Sequence, residues 1–155
     1  MRLSRPHLIL LAAGGSAATL LGALAFQYVG GMPPCKMCYW QRYPHLAAVA
    51  IGLIALMVPG RFWPMLGALA ALVTAGIGVF HAGVERKLWA GPSSCTSGDI
   101  GSLSSAELME QIMTAPLVRC DVIPWELFGL SMAGWNAAVS GLLVLVWLMA
   151  AQSRV

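Results

Sequence analysis

Three stretches of this chain, residues 8–29, 62–84 and 127–151, contain no Asp, Glu, Lys or Arg. Each is long enough to cross a lipid bilayer, which takes about 20 apolar residues in helical form. Helix is the form that a single segment can use there, because hydrocarbon offers the backbone no outside hydrogen-bonding partners. Gln27 is the one strongly polar side chain in the first run, and His81 lies near the end of the second. A shorter run, 43–58, opens with Pro44 and His45 and makes a fourth span. Charged residues are only 10% of the chain, against about a quarter in a soluble domain. Too little polar surface is left to face water. The predicted fold is therefore an all-α membrane protein, a single domain over 1–155 built as a four-transmembrane-helix bundle. Gly14, Gly15, Gly22, Gly76 and Gly78 would let its helices approach closely. A net charge of +3 without a basic run excludes a nucleic-acid binder.

The N-terminus has a second reading. Arg2 and Arg5, an apolar run and Ala23, Leu24 and Ala25 together resemble a cleaved signal peptide. The apolar core is longer than such peptides use, so a retained span is expected. Four crossings place both termini on one side. With those termini cytoplasmic, Arg2, Arg5, Arg61 and Arg154 lie inside in very short segments. Lys36, Arg42, Arg86, Lys87 and Arg119 lie outside, three of them in or beside a long loop. The positive-inside rule weights short flanks, and so favours this orientation despite the raw count. All six acidic residues, Glu85, Asp99, Glu107, Glu110, Asp121 and Glu126, then fall outside.

The same topology puts all four cysteines outside the spans. Cys35 and Cys38 occupy the first outer loop, Cys95 and Cys120 the second. Disulfides persist on that side if it is a bacterial periplasm. Three readings stand: structural bridges, a four-cysteine zinc site, or a redox relay. Zinc sites commonly pair two close-spaced doublets, whereas Cys95 and Cys120 stand far apart. A bridge across CxxC closes so small a loop that it removes little entropy from the unfolded chain. Close-spaced CxxC pairs are more often reactive, since nearby sulfur and positive charge lower a thiol's pKa. Arg42, four residues beyond Cys38, would share its helical face. A guanidinium there favours a thiolate and can donate to a carbonyl oxygen, although an arginine at a helix end also simply snorkels to headgroups. A thiol at headgroup depth suits a lipid-soluble electron acceptor such as a membrane quinone.

Taken together, "CKMCYWQR" before a span, "FHAG" near the end of the third span, "SSC", and "RCDVIPWELFGLSMAGWN" leading into the last resemble the disulfide bond formation protein B (DsbB) family. The likeness covers nearly the whole chain and all four cysteines in order. It implies a membrane thiol:quinone oxidoreductase of the bacterial inner membrane, with periplasmic cysteine loops and cytoplasmic termini. Cys95 and Cys120 would form a disulfide that accepts electrons from a periplasmic DsbA-like dithiol, Cys95 making the mixed disulfide. Cys120 would then exchange with Cys35, and Cys38, as thiolate, would pass the electrons to ubiquinone or menaquinone. Arg42 would stabilise that thiolate and the quinone oxygen. His81, Met132 and Trp125 match family positions close to the quinone, although His81 could equally be bonded within the bundle, and Met132 and Trp125 also suit plain packing and an interfacial aromatic belt.

Within the second loop, Ser104 and Glu107 form a capping box and start a short helix. Leu108, Met109, Ile112 and Met113 give it an apolar stripe, and Pro116 ends it, as suits a helix lying on the membrane surface. The small polar residues around Cys95 predict that this cysteine is mobile and exposed. The rivals are a vitamin K epoxide reductase-like enzyme, which carries its CxxC late in the chain, a DsbB paralogue serving one client, and a scaffold with static disulfides.

Overall fold

A computed structural model describes residues 4–96, 104–114 and 118–153. The order of elements is α1 (Arg5–Tyr28), α2 (Lys36–Met57), α3 (Phe62–Glu85), α4 (Ser105–Thr114), β1 (Glu126–Leu127), β2 (Leu130–Ser131) and α5 (Met132–Gln152). The helix starts follow local chemistry. Pro6 sits in the first turn of α1, where its missing N–H breaks no helical bond. Cys35 caps α2, its sulfur accepting the Cys38 N–H at 3.2 Å. Ser131 caps α5, its Oγ accepting the Gly134 N–H at 3.2 Å. Ser104 and Glu107 form the expected reciprocal cap, Ser104 N–H donating to Glu107 Oε2 at 2.8 Å and Glu107 N–H to Ser104 Oγ at 3.4 Å.

Of these helices, α1, α3 and α5 are long and apolar enough to cross a membrane. With 22 residues α2 has the length, but Lys36, Gln41, Arg42 and His45 make its first half more polar. It begins at Lys36 rather than at residue 43, because the Cys35 cap starts the helix well before the apolar run does. Conversely, α5 begins at Met132 rather than at residue 127. Residues 126–131 form an antiparallel hairpin instead, with Glu126 opposite Ser131 and Leu127 opposite Leu130. Its turn residues Phe128 and Gly129 both have positive φ, 52° and 76°, the geometry that a two-residue hairpin requires and that glycine supplies without steric cost. Apolar composition could not reveal that turn. Arg2, Arg154, Asp99 and Pro116, and the side chains of Leu108 and Ile112, lie outside the described residues, while Met109 and Met113 are exposed.

The four long helices pack side by side in the cyclic order α1, α2, α3, α5. Away from the cysteines their core centres on Trp147, which is fully buried among Leu8, Ile9, Ala12, Ala55, Ala68, Ala71 and Leu143. Small residues make room for the indole: a Cβ on Gly67 would meet its ring atoms at 2.6 Å. Leu21, Leu53, Leu69, Leu142 and Leu145 point outward and are exposed, which suits a lipid surround. Within α2, Pro44 removes one helical donor. Close by, Thr74 Oγ1 of α3 donates to the Gln41 carbonyl at 3.0 Å and ties the two helices.

Candidate functional site

The opposite end of the helix group holds the sulfur. Because Cys35 is the cap of α2 and Cys38 lies in its first turn, the two sulfurs are brought 2.7 Å apart, and a small approach would join them. Cys35 is buried and Cys38 half-buried. Hydrogen bonding to Cys38, followed by burial, pushes the Cys35 thiol up from its ordinary range.

The second pair is joined: Cys95 and Cys120 form a disulfide with Cα atoms 5.4 Å apart. The Cys120 N–H also donates to the Cys95 carbonyl at 2.7 Å. This bridge shares one buried cluster with the first pair, made of Cys35, Met37, Val84, Cys95 and Cys120 with Cys38 and Val118 against it. Cys95 is only 1% exposed, which corrects the expectation of an exposed cysteine. Small polar neighbours predicted exposure, but the disulfide pulls Cys95 onto the apolar cluster. Lys87 and Arg119 clamp the adjoining segment by pairing with the Asp121 carboxylate at 2.6 and 2.7 Å. Arg119 first, then Lys87, holds that carboxyl well below the usual carboxylate range.

His81 enters from α3. Its Nε2 lies 3.6 Å from Cys35 Sγ, and its Nδ1 lies 2.8 Å from Gln41 Nε2. Gln41 donates in addition to the Met37 carbonyl at 3.3 Å. One turn further along α3, Glu85 Oε1 stands 3.9 Å from His81 Nε2, and Ser131 Oγ donates to Glu85 Oε2. Deeper in the helix group, His45 Nε2 meets Asn136 Oδ1 at 2.9 Å, and Asn136 Nδ2 donates to Thr74 Oγ1 at 3.1 Å.

A cavity of about 760 Å³ opens beside the sulfurs and is lined by Cys35, Cys38, Arg42, His81, Trp125 and Met132, among mainly apolar neighbours. All eight of the sequence-derived site residues, Trp125 included, line this cavity or belong to the cysteine cluster beside it. Arg42 is held at the cavity wall by α1, donating to Gln27 Oε1 at 2.6 Å and to the Ala23 carbonyl at 3.2 Å. Its guanidinium lies 5.3 Å from the centre of the Tyr39 ring. Trp125 packs on Phe26 with ring centres 5.1 Å apart.

Sequence reading missed Gln41, Glu85 and Ser131. A signal existed for Glu85, since its spacing of four from His81 places both on one helical face, yet it reads as a loop charge when the span is ended at residue 84. Cys35, Cys38 and His81 also bring three metal-capable atoms within 4.8 Å of one another. Two thiolates on one tetrahedral zinc would stand about 3.8 Å apart, so the closer sulfurs suit bond formation between themselves.

Comparison with known proteins agrees with this arrangement. The family model for disulfide bond formation protein DsbB matches residues 5–150. Among curated proteins, disulfide bond formation protein B of Verminephrobacter eiseniae is 36% identical over 143 residues, covering 84% of this chain and 78% of the relative. The protein of that name from Shewanella sp. (strain MR-4) is 32% identical over 142 residues, covering 87% and 81%. No solved structure matches. With two cysteine pairs gathered at one end of a set of membrane-competent helices, and with likeness along nearly its full length, the chain belongs to the DsbB family of disulfide bond formation proteins.

Proposed function

We propose that this protein is a thiol:quinone oxidoreductase that reoxidises a periplasmic DsbA-like dithiol protein and delivers the electrons to ubiquinone or menaquinone. One observation carries the reading: both cysteine pairs share a single buried cluster, and that cluster borders an apolar cavity of about 760 Å³. Exchange between disulfides needs an attacking thiolate within reach of a sulfur, and the shared cluster of the two pairs supports such an exchange. The cavity has the make-up of a site for a flat apolar ring with two carbonyl oxygens, mostly greasy with a few placed polar groups.

The chain's own groups divide the work. A partner thiolate attacks Cys95 and releases Cys120, and Cys120 then attacks Cys35 of the oxidised first pair. A second partner thiol resolves the mixed disulfide at Cys95, and Cys120 and Cys95 rejoin as the first pair is left reduced. Cys38 faces the cavity as the charged sulfur, with Arg42 in the same wall as its counter-ion and as donor to an acceptor's oxygen. His81 and Met132 complete the wall. When bound, the quinone supplies a two-electron sink, which lets the Cys35–Cys38 disulfide re-form.

This reading goes with a four-span bundle in the bacterial inner membrane, with α2 as the fourth span, cysteine loops in the periplasm and termini in the cytoplasm. The polar start of α2 is then shielded by α1 and α3, on which it packs. The test is turnover of a reduced DsbA-like protein by the purified chain with and without added quinone. Quinone-dependent turnover is expected, and turnover of equal rate without quinone overturns the proposal.

A further inference from the structure

Glu85 has no part in that division of labour, yet it is placed inside the site. It is 6% exposed and is the only carboxylate that lines the cavity among the described residues. Its two oxygens have distinct surroundings. Oε2 receives the hydroxyl of Ser131, which is fixed in turn as the cap of α5. Oε1 faces His81 Nε2 at 3.9 Å, and the same nitrogen faces Cys35 Sγ at 3.6 Å. A thiolate on Cys38 and a carboxylate on Glu85 would be two anions on one apolar cavity, and like charges in such a setting share a proton.

We infer that Glu85 is the proton store of the sulfur centre, holding in the reduced state the proton that Cys38 lacks and exchanging it through His81. This rests on the proposed quinone chemistry. The reduced centre is Cys35–SH, Cys38–S⁻ and Glu85–COOH. When the Cys35–Cys38 bond forms, the S–H bond of Cys35 breaks and two electrons leave the sulfurs for the quinone. Two protons, one from Cys35 and one from Glu85, make the two O–H bonds of the quinol. Glu85 is left as carboxylate, and net charge is unchanged.

His81 can pass the Cys35 proton on because Gln41 serves either tautomer. Turning its carboxamide offers Oε1 instead of Nε2 to His81 Nδ1, which frees Nε2 to accept from Cys35 and then to donate to Glu85. The other charged groups around this pair are Arg42 on α2, Arg86 at the end of α3, Glu126 on β1 and Arg119 at the cavity rim. Arg86 and Glu126 face one another at 3.8 Å.

The experiment is infrared difference spectroscopy on the purified, quinone-stripped full chain, comparing its oxidised and dithiol-reduced forms. On reduction, the wild type is expected to gain the C=O stretch of a buried protonated carboxylic acid. Glu85→Gln is expected to lack that band and to reduce an added short-chain quinone about a hundredfold more slowly. Ser131→Ala keeps the acid but removes its donor, and is expected to move the band to higher frequency and the pH profile of quinone reduction upward. It serves as the second variant if Glu85→Gln does not fold. A band that is absent from the wild type, persists in Glu85→Gln, or is unmoved in Ser131→Ala overturns the inference. A wild type that shows the band but reduces no quinone overturns the proposed function while the infrared result still assigns the proton to Glu85.

Discussion

Cys35 Sγ and His81 Nε2 lie 3.6 Å apart although 46 positions separate them in the chain. The contact links the cap of α2 to the last turns of α3, so the first cysteine pair is held against a helix that carries none of the cysteines. A helix cap keeps the sulfur still, and a histidine beside it offers a place for its proton.

Cys38→Ser should remove electron delivery to quinone and leave a single round of exchange at Cys95–Cys120. Mixing one equivalent of reduced partner with the variant, then following partner oxidation and quinone absorbance separately, checks this. Quinone reduction at the wild-type rate would contradict the placement of Cys38 at the cavity.

Arg42→Met should weaken quinone use more than partner exchange, because Arg42 lines the cavity while the Cys95–Cys120 bridge packs in the cysteine cluster. Losing one charge-assisted donor costs about 1.5–3 kcal/mol, or roughly a ten- to hundredfold rise in KM for a short-chain quinone. Steady-state kinetics with varied quinone and fixed partner measures it.

Asp121→Asn should loosen the segment that buries Cys95. The Asp121 carboxyl is held below its ordinary range in the folded state, so its contribution is complete above the unfolded carboxylate pKa of about 4. It is lost as pH falls through the lower folded-state value. At neutral pH the variant should therefore expose the Cys95–Cys120 bridge to a small phosphine reductant about two to five times faster, the range that partly exposed ion pairs support. The wild type should acquire the faster rate only in strong acid.

Trp147→Ala should destabilise the helix group by ~3–5 kcal/mol through the void it leaves, read from unfolding in detergent. Gly67→Val should also lower stability, because its side chain would enter the space of the Trp147 ring. Neither change touches the cysteines, so residual folded protein should keep its thiol chemistry.

The helices were legible because lipid makes a harsh demand: a long uncharged run has few ways to satisfy its backbone. Residues 8–29 and 62–84 accordingly fall close to α1 and α3. The ends were less legible. Leu127 and Leu130 read as part of a span, yet the positive φ at Phe128 and Gly129 turns them into a hairpin. Cys35 reads as a loop residue, yet it begins a helix. Caps and turns depend on single backbone conformations, which an average over apolar residues does not register.

By itself, the sequence determined that this chain has membrane-competent helices, a CxxC pair before the second, and two more cysteines in a later loop. These follow from residue type and spacing, which act locally. Only the tertiary structure decided that the two pairs share one buried cluster, that Cys95 is covered, and that Glu85 and Ser131 meet at the cavity wall. Such contacts join distant parts of the chain, and packing among helices, rather than any local preference, selects them.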